Sequence, residues 1–187
     1  QDEVVNITDT TIDTEELLTV ATGNGTGTSG AVNLTNVTTL KGEGGNIKTA
    51  IAGTIGSGNV TGAPANVAVT ISETIVSAQE ISDITNSVGI AAGGSAAITT
   101  GLVTIDQTVA TSLKGDLHDI QHALKSSKLV ADATADATGV ETVTVAGLAG
   151  IAVTVDDNVT TVAAAEALST NYNIGVVTAP IVLGALA

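Results

Sequence analysis

The sequence predicts a β-rich α/β fold, a repeat stack or solenoid of short strands with short amphipathic helices. Two phrases that recur along the chain carry this expectation, together with an interior restricted to aliphatic side chains. An all-β sandwich with an exchanged terminal strand is the alternative that the same strand-rich pattern allows.

The composition bounds the core. In 187 residues, 43% are hydrophobic, yet there is no Phe, Trp or Met, and Tyr172 is the only aromatic residue. Val, Ile, Leu and Ala must fill the interior. These compact side chains suit regular stacked layers better than one bulky irregular core.

The first phrase is Thr38-Thr-Leu-Lys-Gly-Glu-Gly-Gly-Asn-Ile-Lys-Thr-Ala-Ile51, answered by Thr111-Ser-Leu-Lys-Gly-Asp-Leu-His-Asp-Ile-Gln-His-Ala-Leu124. Lys41 and Lys114 set an offset of 73 residues. Leu40, Gly44, Ile47 and Ile51 fall opposite Leu113, Leu117, Ile120 and Leu124. Their i, i+4, i+7, i+11 spacing is that of one helix face. Gly42 and Gly115 read as turn glycines ahead of that helix, with Glu43 and Asp116 at its first turn, where an acid suits the dipole. Each phrase therefore reads as strand, glycine turn and short helix.

The second phrase begins at Val4 (VVNITDTTIDTEELLTV), Asn66 (NVAVTISETIVSAQEISDI) and Gly150 (GIAVTVDDNVTTVAAAEAL). Each copy has a β-branched run alternating at period two, a Ser/Thr or acidic turn, and a short helical stretch marked by Glu16-Leu17, Glu80-Ile81 or Glu166-Ala167. A strand plus a short helix cannot bury its apolar face alone, and stacking neighbours solves that. Repeat units over 1–63 and 64–148 and a partial unit over 149–187 follow. The intervening segments around Thr22, Gly53 and Gly89 are rich in small residues and read as loops or hairpin turns.

The segments ITDTTIDTEEL, TTLKGEGGNIKTAI, VTISETIVSAQEI, TSLKGDLHDIQHAL and VTVDDNVTTVAAAEAL are spread along most of the chain, from Ile7 to Leu168. In this pattern the sequence resembles a repeat of very large secreted or cell-surface proteins of cyanobacteria and other marine bacteria, with relatives in structural proteins of their phages. The resemblance implies a structural, adhesive or surface-layer role, often close to calcium-binding repeats. The G-x-G-x-D nonapeptide of those calcium repeats is absent here, so that mode of binding is not carried over.

Charge narrows the function classes. The formal net charge is -14, with five lysines and no arginine. Nucleic acid and anionic membrane surfaces both need cations that this chain lacks. Cysteine is absent, which removes disulfides, thiolate metal sites and a cysteine nucleophile. The apolar run Ala179-Pro-Ile-Val-Leu-Gly-Ala-Leu-Ala187 is far shorter than the ~20 residues a membrane helix needs. It reads as a strand. Gln1 in place of Met reads as a processed or excised chain.

Candidate sites are few. Gly25–Gly30 (GTGTSG) matches G-x-G-x-x-G, but a strand-like run follows where a dinucleotide site needs a helix, so it reads as a turn. His118 and His122 have metal-ligand spacing on the second helix, with no third ligand evident on that face. Asp9, Glu73, Asp156 and Asp157 recur at strand ends and are the calcium candidates, set against a turn role in which such side chains satisfy backbone amides. Asn6, Asn24, Asn33, Asn36, Asn59 and Asn158 open N-x-Thr sequons. No nucleophile elbow, zincin motif or acid–base pair with a histidine is evident, which points away from an enzyme.

The function expected is therefore structural: an extracellular or cell-surface subunit of a filament, layer, adhesin stalk or virion appendage. It would require no cofactor, calcium being the one candidate. It would self-associate through open strand edges at Val4, Val5 and Ile7 and at Ile181, Val182 and Leu183. A calcium- or glycan-binding surface module and a glycosylated archaeal filament subunit are the rival readings.

Overall fold

The computed structural model describes residues 3–24, 31–52, 54–55, 58–86, 98, 100–106, 108–124, 126, 129, 151–156 and 177–178. The elements in chain order are β1 (Val5–Asn6), β2 (Thr11–Asp13), α1 (Thr14–Gly23), β3 (Ala31–Asn33), β4 (Thr39–Gly42), α2 (Gly44–Ile51), β5 (Thr54–Ile55) and β6 (Gly58–Thr61). Then follow β7 (Val67–Ile71), β8 (Ile75–Ser77), α3 (Ala78–Asn86), β9 (Thr100–Ile105), β10 (Ser112–Gly115), α4 (Leu117–Leu124), β11 (Ala152–Val155) and β12 (Val177–Thr178). The fold is mixed α/β with parallel sheets, and four helices among the described residues set aside the all-β sandwich.

Two compact units are present. One comprises Gln1–Ser72 with Asp83–Val103, the other Glu73–Ser82 with Thr104–Ala187. The three sheets have the orders β1-β3-β6-β5, β2-β4-β7-β9 and β12-β11-β10-β8. The pairings β1–β3, β3–β6, β2–β4, β4–β7, β8–β10, β10–β11 and β11–β12 are parallel, while β5–β6 is an antiparallel hairpin. This hairpin lies in a segment whose glycines had suggested loops and hairpin turns, and β6 continues the first sheet.

Aliphatic ladders explain how the chain manages without aromatic residues. Ile12, Leu40 and Val69 are register partners across β2, β4 and β7, and all three are buried. Val76, Leu113 and Val153 are register partners across β8, β10 and β11, and all are fully buried. In-register parallel pairing brings like side chains together, so β-branched and leucine side chains pack in rows.

The matched phrases form matched elements. Thr38 and Thr39 both donate backbone N–H to Thr10 O (2.8 and 3.0 Å), and Thr111 and Ser112 do the same to Thr74 O (2.9 and 3.3 Å). The Thr38 and Thr111 hydroxyls donate to those same two carbonyls at 3.2 and 3.1 Å. Asn33 Oδ1 accepts from Thr35 N and Oγ1 at 3.1 and 2.6 Å, and Asp106 Oδ1 accepts from Thr108 N and Oγ1 at the same two distances.

Two expectations about the Lys-Gly phrase are corrected. Leu40 and Leu113 are strand residues, so the helical stripe starts later, with Gly44, Ile47, Ala50 and Ile51 and with Ile120, Ala123 and Leu124 as the buried faces. Gly42 and Gly115 close strands β4 and β10 and are not turn residues. Gly42 has φ +151°, and a Cβ there would collide with the Thr14 hydroxyl at the start of α1. A Cβ at Gly115 would lie 2.9 Å from the Ala78 Cβ at the start of α3. A strand end passing that close to a helix start leaves room for hydrogen alone.

Polar side chains set the helix starts. Asp13 accepts from Glu15 N at 2.8 Å, Ser77 Oγ from Glu80 N at 3.3 Å, and Asp116 from Asp119 N at 2.7 Å. These bonds satisfy amides that a first turn leaves open. Glu43, at the start of α2, makes no such side-chain bond.

Candidate functional site

One open part of the described surface lies at β1, β2 and α1. Among the described residues β1 is the edge of its sheet and β2 the edge of the next, so each has a described strand neighbour on one side only. Ile7 N–H donates to Asn33 O at 3.0 Å. Because successive amides of a strand point to opposite sides, those of Val4, Asn6 and Thr8 face the open edge. Val4 is 56% exposed, while Val5 and Ile7 are half-buried.

A groove of about 730 Å³ runs beside this edge, lined by Ile7, Ile12, Thr19 and Val20 together with the carboxylates of Asp9, Asp13, Glu15 and Glu16. Of these, Asp13 is committed to capping α1. The groove is thus apolar at its base and anionic at its rim, a surface suited to another polypeptide that brings aliphatic side chains and lysines.

The asparagines of the sequons serve the fold here. Asn33 Nδ2 donates to Asn6 Oδ1 at 2.9 Å across neighbouring strands, while its own Oδ1 holds the Thr35 turn. Asn24 Nδ2 donates to Glu3 O at 2.8 Å, and Asn36 Nδ2 reaches Ile7 O at 3.5 Å. A sugar on Asn33 would replace one of the two Nδ2 hydrogens and crowd the side-chain bond to Asn6. Asn158 lies outside the described residues.

The calcium candidates are placed as follows. Asp9 is exposed between β1 and β2, Glu73 is half-buried between β7 and β8, and Asp156 is exposed after β11 with Lys114 Nζ 3.6 Å away. Asp157 lies outside the described residues, as do Ile181, Val182, Leu183 and the stretch Gly25–Gly30. Among the described residues, none of Asp9, Glu73 and Asp156 belongs to a compact ligand trio.

Among the described residues the one trio of candidate ligands is Asp116, His118 and Asp119, whose ligand atoms lie within 4.8 Å of one another. His118 is a candidate in the sequence through its spacing to His122, whereas Asp116 and Asp119 complete the trio and are signalled in the sequence only by Asp-x-His-Asp at a helix start. His118 is highly exposed, and Asp116 also caps the helix. His118 and His122 are stacked with ring centroids 6.1 Å apart, and His122 Nδ1 lies 2.8 Å from Ser82 Oγ. The second histidine is therefore tied to α3.

No helix among the described residues is long and apolar enough to cross a membrane. Compared with protein-family models, curated proteins and solved structures, the chain matches none of them.

Proposed function

We propose that this chain is a non-catalytic structural protein, a stack of strand–helix repeats that self-associates through its edge strands. In this reading it builds an extracellular or cell-surface assembly such as a filament, layer, adhesin stalk or virion appendage, joined as a homopolymer. The repetition of one pairing scheme supports it. β4 pairs with β7 through Leu40↔Val69 and Gly42↔Ile71, and β10 pairs with β11 through Leu113↔Val153 and Gly115↔Val155. A scheme used twice within a chain can be used again between chains, and a head-to-tail contact that does not close generates a fibre.

The terminal elements add to this. Among the described residues β1 and β12 are both sheet edges, and edge strands are templates for further pairing. The sparse charge and the Thr-, Asn- and Gly-rich composition suit a passive surface, with glycan contacts as a secondary property.

A second reading, a divalent-cation-binding surface module, is favoured by one observation, the Asp116–His118–Asp119 trio. Negative-stain electron microscopy of the purified chain, with and without calcium and with intact mass from the same sample, separates the two. Regular filaments or sheets that vanish when residues 1–8 are deleted fit the structural reading. A monodisperse monomer throughout, stabilised by a divalent cation, fits the module.

A further inference from the structure

We propose that the open edge of β1, with the exposed face of α1 beside it, is a socket for a Leu-Lys-Gly strand and the short helix that follows it, carried by a second molecule. This deepens the structural reading above and rests on it, because it names the element that docks and the register in which it does so.

The internal copies supply the template. Residue by residue, β1 matches β7 at an offset of 64 and β11 at a further 84, so that Val5, Val69 and Val153 correspond. β7 has a Leu-Lys-Gly strand on one side, in the register Thr39↔Ala68, Leu40↔Val69, Lys41↔Thr70 and Gly42↔Ile71. Its ends are fixed by Ala68 N–H to Thr38 O (2.9 Å) and Ser72 N–H to Gly42 O (2.8 Å). β11 receives β10 identically, from Ser112↔Ala152 to Gly115↔Val155, with Ala152 N–H to Thr111 O (3.3 Å) and Asp156 N–H to Gly115 O (2.8 Å). β1 has its β3 neighbour and, among the described residues, no strand at the position that β4 and β10 occupy. The donors that would receive one are the amides of Val4, Asn6 and Thr8.

Burial tells the same story. Val69 and Ile71 are buried, while their counterparts Val5 and Ile7 are half-exposed and still aliphatic. On the helices, Ile84 is buried and its counterpart Val20 on α1 is half-exposed. Lys48 of α2 pairs with Asp83 of α3, and the counterpart of Asp83 is Thr19, in the wall of the groove beside β1. An incoming unit that repeats the β4–α2 arrangement would thus cover Val5, Ile7 and Val20 together. Its lysines would meet the anionic rim, as Lys114 meets Asp156.

The test uses the full chain and a fluorescein-labelled peptide of residues 38–52. Anisotropy is expected to show saturable binding, with amide exchange slowed at Val4, Asn6 and Thr8. A Val4→Pro/Thr8→Pro variant removes two outward donors on an edge where proline is tolerated, and is expected to weaken binding at least tenfold with an unchanged circular dichroism spectrum. Val20→Glu, on the exposed helix face, is expected to weaken it independently. A peptide bearing Leu40→Asp is expected not to bind. Absence of saturable binding at millimolar peptide, or equal binding by both variants, overturns the socket. Filaments that form normally from the double-proline variant overturn it while leaving self-assembly standing. Peptide binding by a chain that never polymerises upholds the socket and removes the homopolymer.

Discussion

Gly42 lies against the buried hydroxyl of Thr14, which has no hydrogen-bond partner, and in the second copy Gly115 lies against Ala78. The recurrent glycine of the Lys-Gly phrase is therefore a packing requirement between a strand end and the helix start beside it. Gly42→Ala combines a collision with a backbone conformation that side chains disfavour. It is expected to cost about 2–4 kcal/mol in denaturant unfolding, and Gly115→Ala about 1–3 kcal/mol. Thr14→Ala removes the unpartnered hydroxyl and is expected to stay within about 1 kcal/mol of the parent. The double variant Gly42→Ala/Thr14→Ala should then be less destabilised than the sum by at least about 0.5 kcal/mol, since the two residues touch. Strict additivity would deny the contact.

Asn33 joins two roles, the cross-strand bond to Asn6 and the turn that holds Thr35. Asn33→Ala loses both and is expected to cost about 1–3 kcal/mol. Asn33→Asp reproduces Asp106, keeps the turn and loses only the donor to Asn6, so its melting temperature is expected to lie between those of the parent and Asn33→Ala. Equal losses in the two variants would show that the cross-strand bond carries all the effect.

The strands and the helices from Thr14, Gly44, Ala78 and Leu117 were legible because β-branched alternation and short apolar stripes are local signals. Strand ends were not. Leu40 and Leu113 satisfy a helical spacing, yet they pair in sheets with Val69 and Val153, because parallel pairing is decided by residues distant in sequence. The socket was partly legible: Val4, Val5 and Ile7 were expected at an open edge, but Val20 and the acidic rim appear only when α1 is set beside β2. The Asp116–His118–Asp119 trio was missed because ligands were sought at helical spacing along one face.

Asp116 tests that trio. As a cap it is expected to contribute about 1 kcal/mol, so Asp116→Ala should lower stability by that amount in chelator and in zinc alike. A zinc-dependent rise in melting temperature that His118→Ala abolishes would instead assign the trio to a metal, by mass action.

Lys48 and Asp83 are each 39% exposed, so their ion pair is screened. Lys48→Met is expected to change stability by less than about 1 kcal/mol, and the difference should shrink in molar salt. A larger, salt-independent loss would mean that the pair holds the two helices by more than charge.

Amide hydrogen exchange at Val4, Asn6 and Thr8, followed in the dissociated chain and in its assembly, addresses the central claim most directly, with Ala68, Thr70 and Ser72 as internal references. The expected result is fast exchange at the first three in the dissociated chain, falling to the rates of the reference residues on assembly. A chain that remains monomeric, or an assembly in which Val4, Asn6 and Thr8 still exchange freely, would contradict it.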